Sequence, residues 1–176
     1  MNPTQYSIYK GTGGNYGAIQ FNLQLPHFYK DKQKDFTGQE AFEIVDGRKR
    51  LRDGWKEREG AVFLEITSAK GKNEYDWDNK VIMALSVNDI GKVLECFLTG
   101  KECKIIHDPG AKTSAAGNVQ KYLTIESPNG TANGCMFKVN KVVGDNRVSH
   151  TVPVAASELI VLKSLLTSAI SRSLGW

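Results

Sequence analysis

Residues 80–91 read Lys-Val-Ile-Met-Ala-Leu-Ser-Val-Asn-Asp-Ile-Gly, and within them a strand pattern gives way to a helix pattern. Val, Met and Leu recur at every second position of 80–85, which is typical of a strand with one buried face. Ser86 then stands where a helix N-cap belongs, with Asp89 three residues later as a shorter stand-in for the acid of a capping box. The stretch therefore predicts a strand, then a helix that ends near Gly100.

Similar strand patterns occur on both sides of this stretch, separated by turns rich in glycine, proline and asparagine. A second helix is predicted over 157–174, where a broad apolar stripe faces serines and threonines. Strands, a helix, more strands and a last helix together predict an α+β protein. The further predicted strands cover residues 6–10, 18–25, 42–45, 61–67, 103–107, 121–126, 136–143 and 147–152.

The composition is that of an ordinary globular protein, with 176 residues, 40% hydrophobic residues, 24% charged residues and a net charge of +4. This length fits one domain over 1–176. The mild positive charge permits a polyanionic partner without requiring one. Three cysteines without a C-x-x-C pair indicate neither a disulfide framework nor a zinc site, so no cofactor or metal is expected.

Neither a signal peptide nor a membrane-spanning run is evident, which favours the cytoplasm or a nucleoid. Residues 28–60 are a charged insertion with nine basic and eight acidic residues. Its cluster at 48–52, Arg-Lys-Arg-Leu-Arg, either contacts phosphate or is a solvated turn.

Short motifs follow these elements in a fixed order. Residues 6–11, Tyr-Ser-Ile-Tyr-Lys-Gly, come first, and Ala84-Leu85-Ser86 later leads into Ile90-Gly91. The other motifs are Tyr75-Asp76-Trp77 with Lys80, His107-Asp108-Pro109, Lys112, Ser114, Gly117, Val119, Lys121, Val139-Asn140, Val152-Pro153-Val154, Glu158 and Leu174-Gly175-Trp176.

In order and spacing these motifs resemble the Whirly family of single-stranded DNA-binding proteins, over 6–10 and nearly all of 61–176. The resemblance implies two roughly orthogonal four-stranded antiparallel sheets with two helices, and a homotetramer assembled through the C-terminal helix. It also implies non-enzymatic binding of single-stranded DNA in a groove with little sequence specificity. Such a groove needs aromatic or apolar platforms for the bases and lysines for the backbone.

The resemblance carries over eight candidate binding residues: Tyr9, Lys10, Trp77, Lys80, Lys104, Ile106, Lys112 and Lys121. The strand pattern adds Lys138 and Asn140, since both should face away from Phe137 and Val139. Core packing is the alternative role for Tyr9 and Trp77, and a solvated surface is the alternative for any single lysine. His107 is expected to be structural, tying the turn that follows it.

The chain departs from the family where Thr12-Gly13-Gly14-Asn15 replaces the second lysine of the first motif, and where 28–60 is longer than usual. Ala155 also stands at the cap of the last helix in place of threonine. Without a plant-type transit peptide, a bacterial, viral or phage relative is as plausible as an organellar one.

Two other functions remain open. One is a module of the same fold that binds single-stranded RNA or acts as a coactivator. The other is a metal-dependent nuclease that uses Glu65, Asp78 and Lys80, although the acidic residue such enzymes place upstream is missing.

Overall fold

The computed structural model describes residues 5–11, 16–30, 41–108, 119–127 and 131–175, and shows an α+β fold. Single turns of 3-10 helix cover Trp77–Asn79 and Thr131–Asn133. The predicted turns at 12–15, 109–110 and 128–130 lie outside the described residues. In chain order the elements are β1 (Gln5–Tyr9), β2 (Gly17–Gln24), β3 (His27–Lys30), β4 (Phe42–Val45), β5 (Arg48–Leu51), β6 (Trp55–Arg58), β7 (Ala61–Gly71), β8 (Glu74–Tyr75), β9 (Val81–Leu85), α1 (Val87–Thr99), β10 (Cys103–His107), β11 (Val119–Glu126), β12 (Cys135–Val143), β13 (Asn146–Val154) and α2 (Ala156–Ser173).

Two antiparallel sheets form the body of the protein. In the first sheet β1 pairs with β2, β2 with β7, and β7 with both β9 and the short β8. The second sheet is a meander in the order β10-β11-β12-β13. The prediction of two four-stranded sheets is right for the second and one strand short for the first. The reason is that β7 runs on to Gly71, past the predicted end at residue 67, so that the turn at Asn73 folds β8 back onto it.

The core lies between the two sheets and is closed by the helices. Alternate residues of β9 and β10, and of the first part of β7, are buried, which follows from the strand period of two. Phe137 of β12 packs edge-on against Phe21 of β2, with 5.9 Å between ring centroids, and against Phe97 of α1 at 6.2 Å. One buried cluster therefore joins both sheets and α1.

Helix α1 begins as the sequence predicts. Ser86 and Asp89 form a capping box: the Asp89 backbone N–H donates to the Ser86 hydroxyl at 3.2 Å, and the Ser86 N–H donates to the Asp89 carboxylate at 3.1 Å. Gly100 ends the helix with a left-handed φ of 72°, which glycine adopts without a Cβ clash. Leu98, in the last turn of the helix, is 66% exposed.

Helix α2 begins without a side-chain cap at Ala155, because alanine offers no acceptor. The Glu158 carboxylate accepts the Ala155 backbone N–H at 2.7 Å, so half of a capping box is present. Leu159, Leu162 and Leu166 pack into the core. Among the described residues, no helix combines the length and apolar character needed to cross a membrane.

The charged insertion forms two short ribbons, which we call the arm (residues 27–30 and 41–58). In it β3 pairs with β6 and β4 pairs with β5. The arm leaves the body between Gln24 of β2 and Ala61 of β7, which lie opposite each other. Tyr9 at the end of β1 lies at the other end of the first sheet, beside Ala18 and Thr67.

Candidate nucleic-acid interface

An aromatic group lies at the end of the first sheet. Tyr9, on the outer face of β1, is 53% exposed, so it is not part of the core. Its ring lies 5.3 Å from that of Tyr75 in β8, tilted by 49°. Trp77 begins the 3-10 turn just after Tyr75 and is half-buried. The bulge in β7 and the short β8 therefore present Tyr9, Tyr75 and Trp77 at one end of the sheet.

The two lysines predicted for this end are both already bonded to carboxylates. The Lys80 Nζ lies 2.6 Å from Glu65 Oε2, with side-chain exposures of 34% and 15%. The Lys10 Nζ lies 2.6 Å from Glu158 Oε2 at the start of α2. A phosphate that binds either lysine must therefore compete with a carboxylate.

The outer face of the second sheet is more open. The register places Ile106 of β10, Tyr122 of β11 and Asn140 of β12 side by side in one row across three strands. Two residues further along, Lys104, Thr124 and Lys138 form the neighbouring row. Ile106 is 64% exposed, and Lys104 and Lys138 are exposed as well. An apolar and aromatic row thus lies directly beside a basic row.

Unlike Ile106, Lys104 and Lys138, Asn140 of this face is buried. It lies on the predicted side, away from Phe137 and Val139, yet it is 7% exposed because its neighbours cover it. Among the described residues, its Oδ1 has no hydrogen-bond partner. A buried acceptor without a partner costs free energy unless something binds it.

Lys121 does not lie on this outer face. The alternation of β11 places it on the core side, opposite His107 of β10 and Lys141 of β12. Its Nζ donates to the backbone carbonyl of Ile82 in β9 at 2.7 Å. Burial, reinforced by the nearby charge of Lys141, lowers the pKa of Lys121. In this chain Lys121 ties the second sheet to the first.

His107 links the same region to α1. Its Nε2 lies 3.2 Å from the Asp89 carboxylate of the capping box. Burial works to raise the pKa of Asp89, but hydrogen bonds from Ser86 and the contact with His107 hold it below its ordinary value. His107 therefore ties the end of β10 to the start of the helix.

The candidate residues fall into two groups that one chain does not bring together. Tyr9, Trp77 and Lys80 lie at the end of the first sheet, while Lys104, Ile106, Lys138 and Asn140 lie on the outer face of the second. Because the shared core lies between the sheets, the two outer faces look away from each other. Lys112 lies outside the described residues.

Two aromatic residues of these surfaces are not among the binding residues predicted from the sequence. Tyr75 is the ring partner of Tyr9, and Tyr122 lies between Ile106 and Asn140. The hydroxyl of Tyr122 donates to the Gln120 side chain. Tyr122 follows the same alternation as Lys104 and Ile106, so pairing the predicted strands in register would have found it.

The three residues of the nuclease hypothesis are engaged in ion pairs. Glu65 is bonded to Lys80, and the Asp78 carboxylate, 94% exposed, lies 3.9 Å from the Lys70 Nζ. In the part of the chain that the structure describes, no three His, Cys, Asp or Glu side chains gather so as to hold a metal ion.

Comparison with known proteins agrees with the fold. The model of the Whirly family, described as Whirly transcription factor, matches residues 42–165. The structure of the plant transcriptional regulator PBF-2 superposes with a TM-score of 0.71 and 28% identity, over 98% of this chain and 82% of that one. The crystal structure of WHY3 from Arabidopsis thaliana gives 0.73 and 25%, over 98% and 89%.

Curated relatives point the same way. The chain is 34% identical over 122 residues to the chloroplastic single-stranded DNA-binding protein WHY1 of Solanum tuberosum, covering 68% of this chain and 43% of that protein. It is 28% identical over 174 residues to the mitochondrial single-stranded DNA-binding protein WHY2 of Arabidopsis thaliana, covering 97% and 63%. This chain thus spans about half the length of these relatives. The family match and these identities show that the chain belongs to the Whirly family.

Proposed function

We propose that this chain binds single-stranded DNA with little sequence specificity and catalyses no reaction on it. The observation that carries the proposal is the outer face of the second sheet, where the row Ile106, Tyr122 and Asn140 lies beside Lys104 and Lys138. Bases stack on flat apolar or aromatic side chains, and lysines beside them bind phosphates. The relatives named as single-stranded DNA-binding proteins support the same reading.

In this proposal the aromatic end of the first sheet is a second part of the binding surface. Tyr9 and Trp77 offer rings, while Lys10 and Lys80 bind phosphate after leaving Glu158 and Glu65. Lys112 remains a proposed contact from the family resemblance alone. Lys121 contributes by holding the sheets in place.

The two outer faces form one groove only if copies of the chain come together. We therefore propose a homotetramer assembled through α2, with each groove built between neighbouring protomers. Exposed apolar side chains on the helices support this arrangement: Leu98 on α1, and Ile160, Val161 and Leu165 on α2. In this proposal residues 1–176 form a single domain that acts in the cytoplasm or at a nucleoid.

Fluorescence anisotropy tests the proposal with labelled single-stranded DNA of about 30 nucleotides. This is longer than the roughly 4–16 nucleotides that one OB-fold domain covers on a single strand. Matched RNA and duplex are measured alongside, over a series of salt concentrations. Single-stranded DNA should bind more tightly than duplex, and its affinity should fall as salt rises. The Lys104→Ala/Lys138→Ala variant should weaken binding, and equal affinity for duplex would contradict the proposed groove.

Single-stranded RNA is the second candidate ligand, since a stacking surface accepts either sugar. Direct competition between the matched DNA and RNA decides between them.

A further inference from the structure

The arm carries charge that neither outer face uses. It projects from the first sheet at the end opposite Tyr9, and its two ribbons pack against the rest of the described chain much less than their own strands pair. A two-stranded ribbon of four residues per strand is not stable by itself in water. Contacts inside the arm, and one at its base, add to the strand pairing.

Three contacts within the arm hold its two ribbons together. The rings of Phe28 and Phe42 meet edge to face with 4.7 Å between centroids, which packs β4 against β3. The Arg52 Nε donates to the Phe42 carbonyl at 3.0 Å, and the Arg52 backbone N–H donates to the Ala41 carbonyl at 2.9 Å. At the base, the Gly60 N–H donates to the Ser173 carbonyl at the end of α2. The arm is thus anchored to the body.

The hairpin of β4 and β5 presents two arginines on one face. Its turn, Asp46-Gly47, has φ values of 51° and 73°, as a tight hairpin turn requires. Arg48 and Arg50 are exposed and lie two residues apart on one strand, about 6.6 Å along it. Within the described residues neither forms an ion pair, even though Glu43 lies opposite Arg50 in the register.

The ribbon of β3 and β6 presents a second basic face. Lys56 and Arg58 are exposed, and the register places Tyr29 and His27 directly opposite them. Neither strand adds a carboxylate to that face, because Glu57 points to the other side with Phe28 and Trp55. A tyrosine beside two exposed cations combines a stacking surface with phosphate contacts.

We propose that the arm is a second nucleic-acid contact, in which Arg48, Arg50, Lys56 and Arg58 bind the backbone of a single strand that continues beyond the sheet surface. The inference rests on the proposed function. The base of the arm at Ala61 lies six residues along β7 from Thr67 beside Tyr9, about 20 Å away. Only a strand longer than the sheet site can reach both regions.

The experiment measures affinity against salt concentration for single-stranded DNA of several lengths, from about 8 to 40 nucleotides. The series begins within the roughly 4–16 nucleotides that one OB-fold domain covers and extends well beyond it. The variants are Arg48→Ser/Arg50→Ser and Lys56→Ser/Arg58→Ser. Removing one phosphate contact should reduce the slope of log K against log salt by about 0.7, so each double variant should reduce it by about 1.4 with long strands. The shortest strands should bind the variants as they bind the wild type.

Two controls accompany these variants. Lys92→Ser/Lys101→Ser removes two exposed positive charges from α1 and the turn after it, and should change the slope equally little at every length. Arg48→Lys/Arg50→Lys keeps the charge of the hairpin and should keep the wild-type slope. Thermal melts establish that each variant is folded.

The outcomes separate the two proposals. If the wild type binds no single strand of any length, the proposed function fails. If the wild type binds and the arm variants keep its slope at every length, the arm inference is overturned while the sheet site stands. Equal reductions at short and long lengths would also overturn it.

Discussion

The two outer faces of this protein carry similar residues in different electrostatic states. At the end of the first sheet, Lys10 and Lys80 are each bonded to a carboxylate at 2.6 Å. On the second sheet, Lys138 is exposed, and among the described residues Lys104 forms an ion pair only with the exposed Glu102, at 2.8 Å. An exposed pair of this kind contributes little. The contribution of a lysine to DNA affinity therefore depends less on its presence at the surface than on whether a carboxylate already compensates its charge.

This contrast separates two contributions to binding. The second sheet offers the exposed charge of Lys138 and a stacking row without rearrangement, and its Lys104 has only an exposed, weak ion pair to leave. The first sheet must exchange a carboxylate for a phosphate, so its net gain is the difference between two interactions. We expect the second sheet to supply most of the affinity, and the first to add contacts at the aromatic end.

The largest expected effect comes from the residue that supports both faces. Phe137 contacts Phe21 behind the first sheet and is fully buried. Phe137→Ala leaves a cavity there and should lower the free energy of unfolding by about 3–5 kcal/mol. Urea denaturation measures this loss. A loss below that range would mean that the sheets do not share one core, and Phe137→Leu should cost much less.

The next effect concerns stacking. Tyr122→Ala removes the ring between Ile106 and Asn140 and should lower the affinity for single-stranded DNA by about 1–3 kcal/mol, or about 5- to 150-fold. Tyr122→Phe, which keeps the ring, is the matched control and should bind nearly as the wild type does. If Tyr9→Ala weakens binding and Tyr122→Ala does not, the ranking of the two faces is reversed.

A smaller effect tests the contact that joins β13 of the second sheet to the first sheet and to the 3-10 turn at Asn79. His150 of β13 binds Ser68 through Nδ1 at 2.8 Å and the Asn79 carbonyl through Nε2 at 3.0 Å. Burial lowers the pKa of His150. The folded state thus favours neutral His150, so its contribution to stability is complete above the ordinary pKa of about 6.5 and is lost as pH falls below it.

His150→Gln should therefore be less stable at pH 7, by about 1 kcal/mol for the missing hydrogen bonds. Between pH 7 and the lowered pKa, it should lose less stability than the wild type. The difference between the two curves isolates His150 from the other histidines. Parallel curves would show that His150 has the same pKa in the folded and unfolded states.

The smallest effect sharpens the electrostatic contrast. Glu65→Gln removes the carboxylate bonded to Lys80 and should raise affinity at low salt by a factor of about two to five, the range expected for an ion pair at the protein surface. Lys138→Ala should lower affinity by a similar factor. The Glu65→Gln gain should shrink at high salt because both charges are screened. Unchanged affinity in Glu65→Gln would place Lys80 outside the binding surface.

Sequence reasoning succeeded where local signals decide structure. The capping box at Ser86, the end of α1 at Gly100 and the strand β10 depend on neighbouring residues, so they were predicted correctly. Alternation with Leu123 and Ile125 places Lys121 on the core side, a local signal that the assignment by family resemblance left unused. The burial of Asn140 depends on its neighbours across the sheet. Leu98 has the helical period of a core residue, but none of the described elements of the chain covers it. Such features belong to tertiary packing, which periodicity alone does not contain.

The hydrogen bond from Lys121 to Ile82 also bears on solubility. Within the described residues β9 pairs only with β7, which makes it an edge strand of the first sheet. Open edges invite pairing with another chain, and proteins often guard them with lysine. Here the lysine comes from the other sheet and bonds to the backbone of β9 itself. A strand that approaches this edge has to displace a half-buried lysine side chain, so the same contact that joins the sheets opposes aggregation.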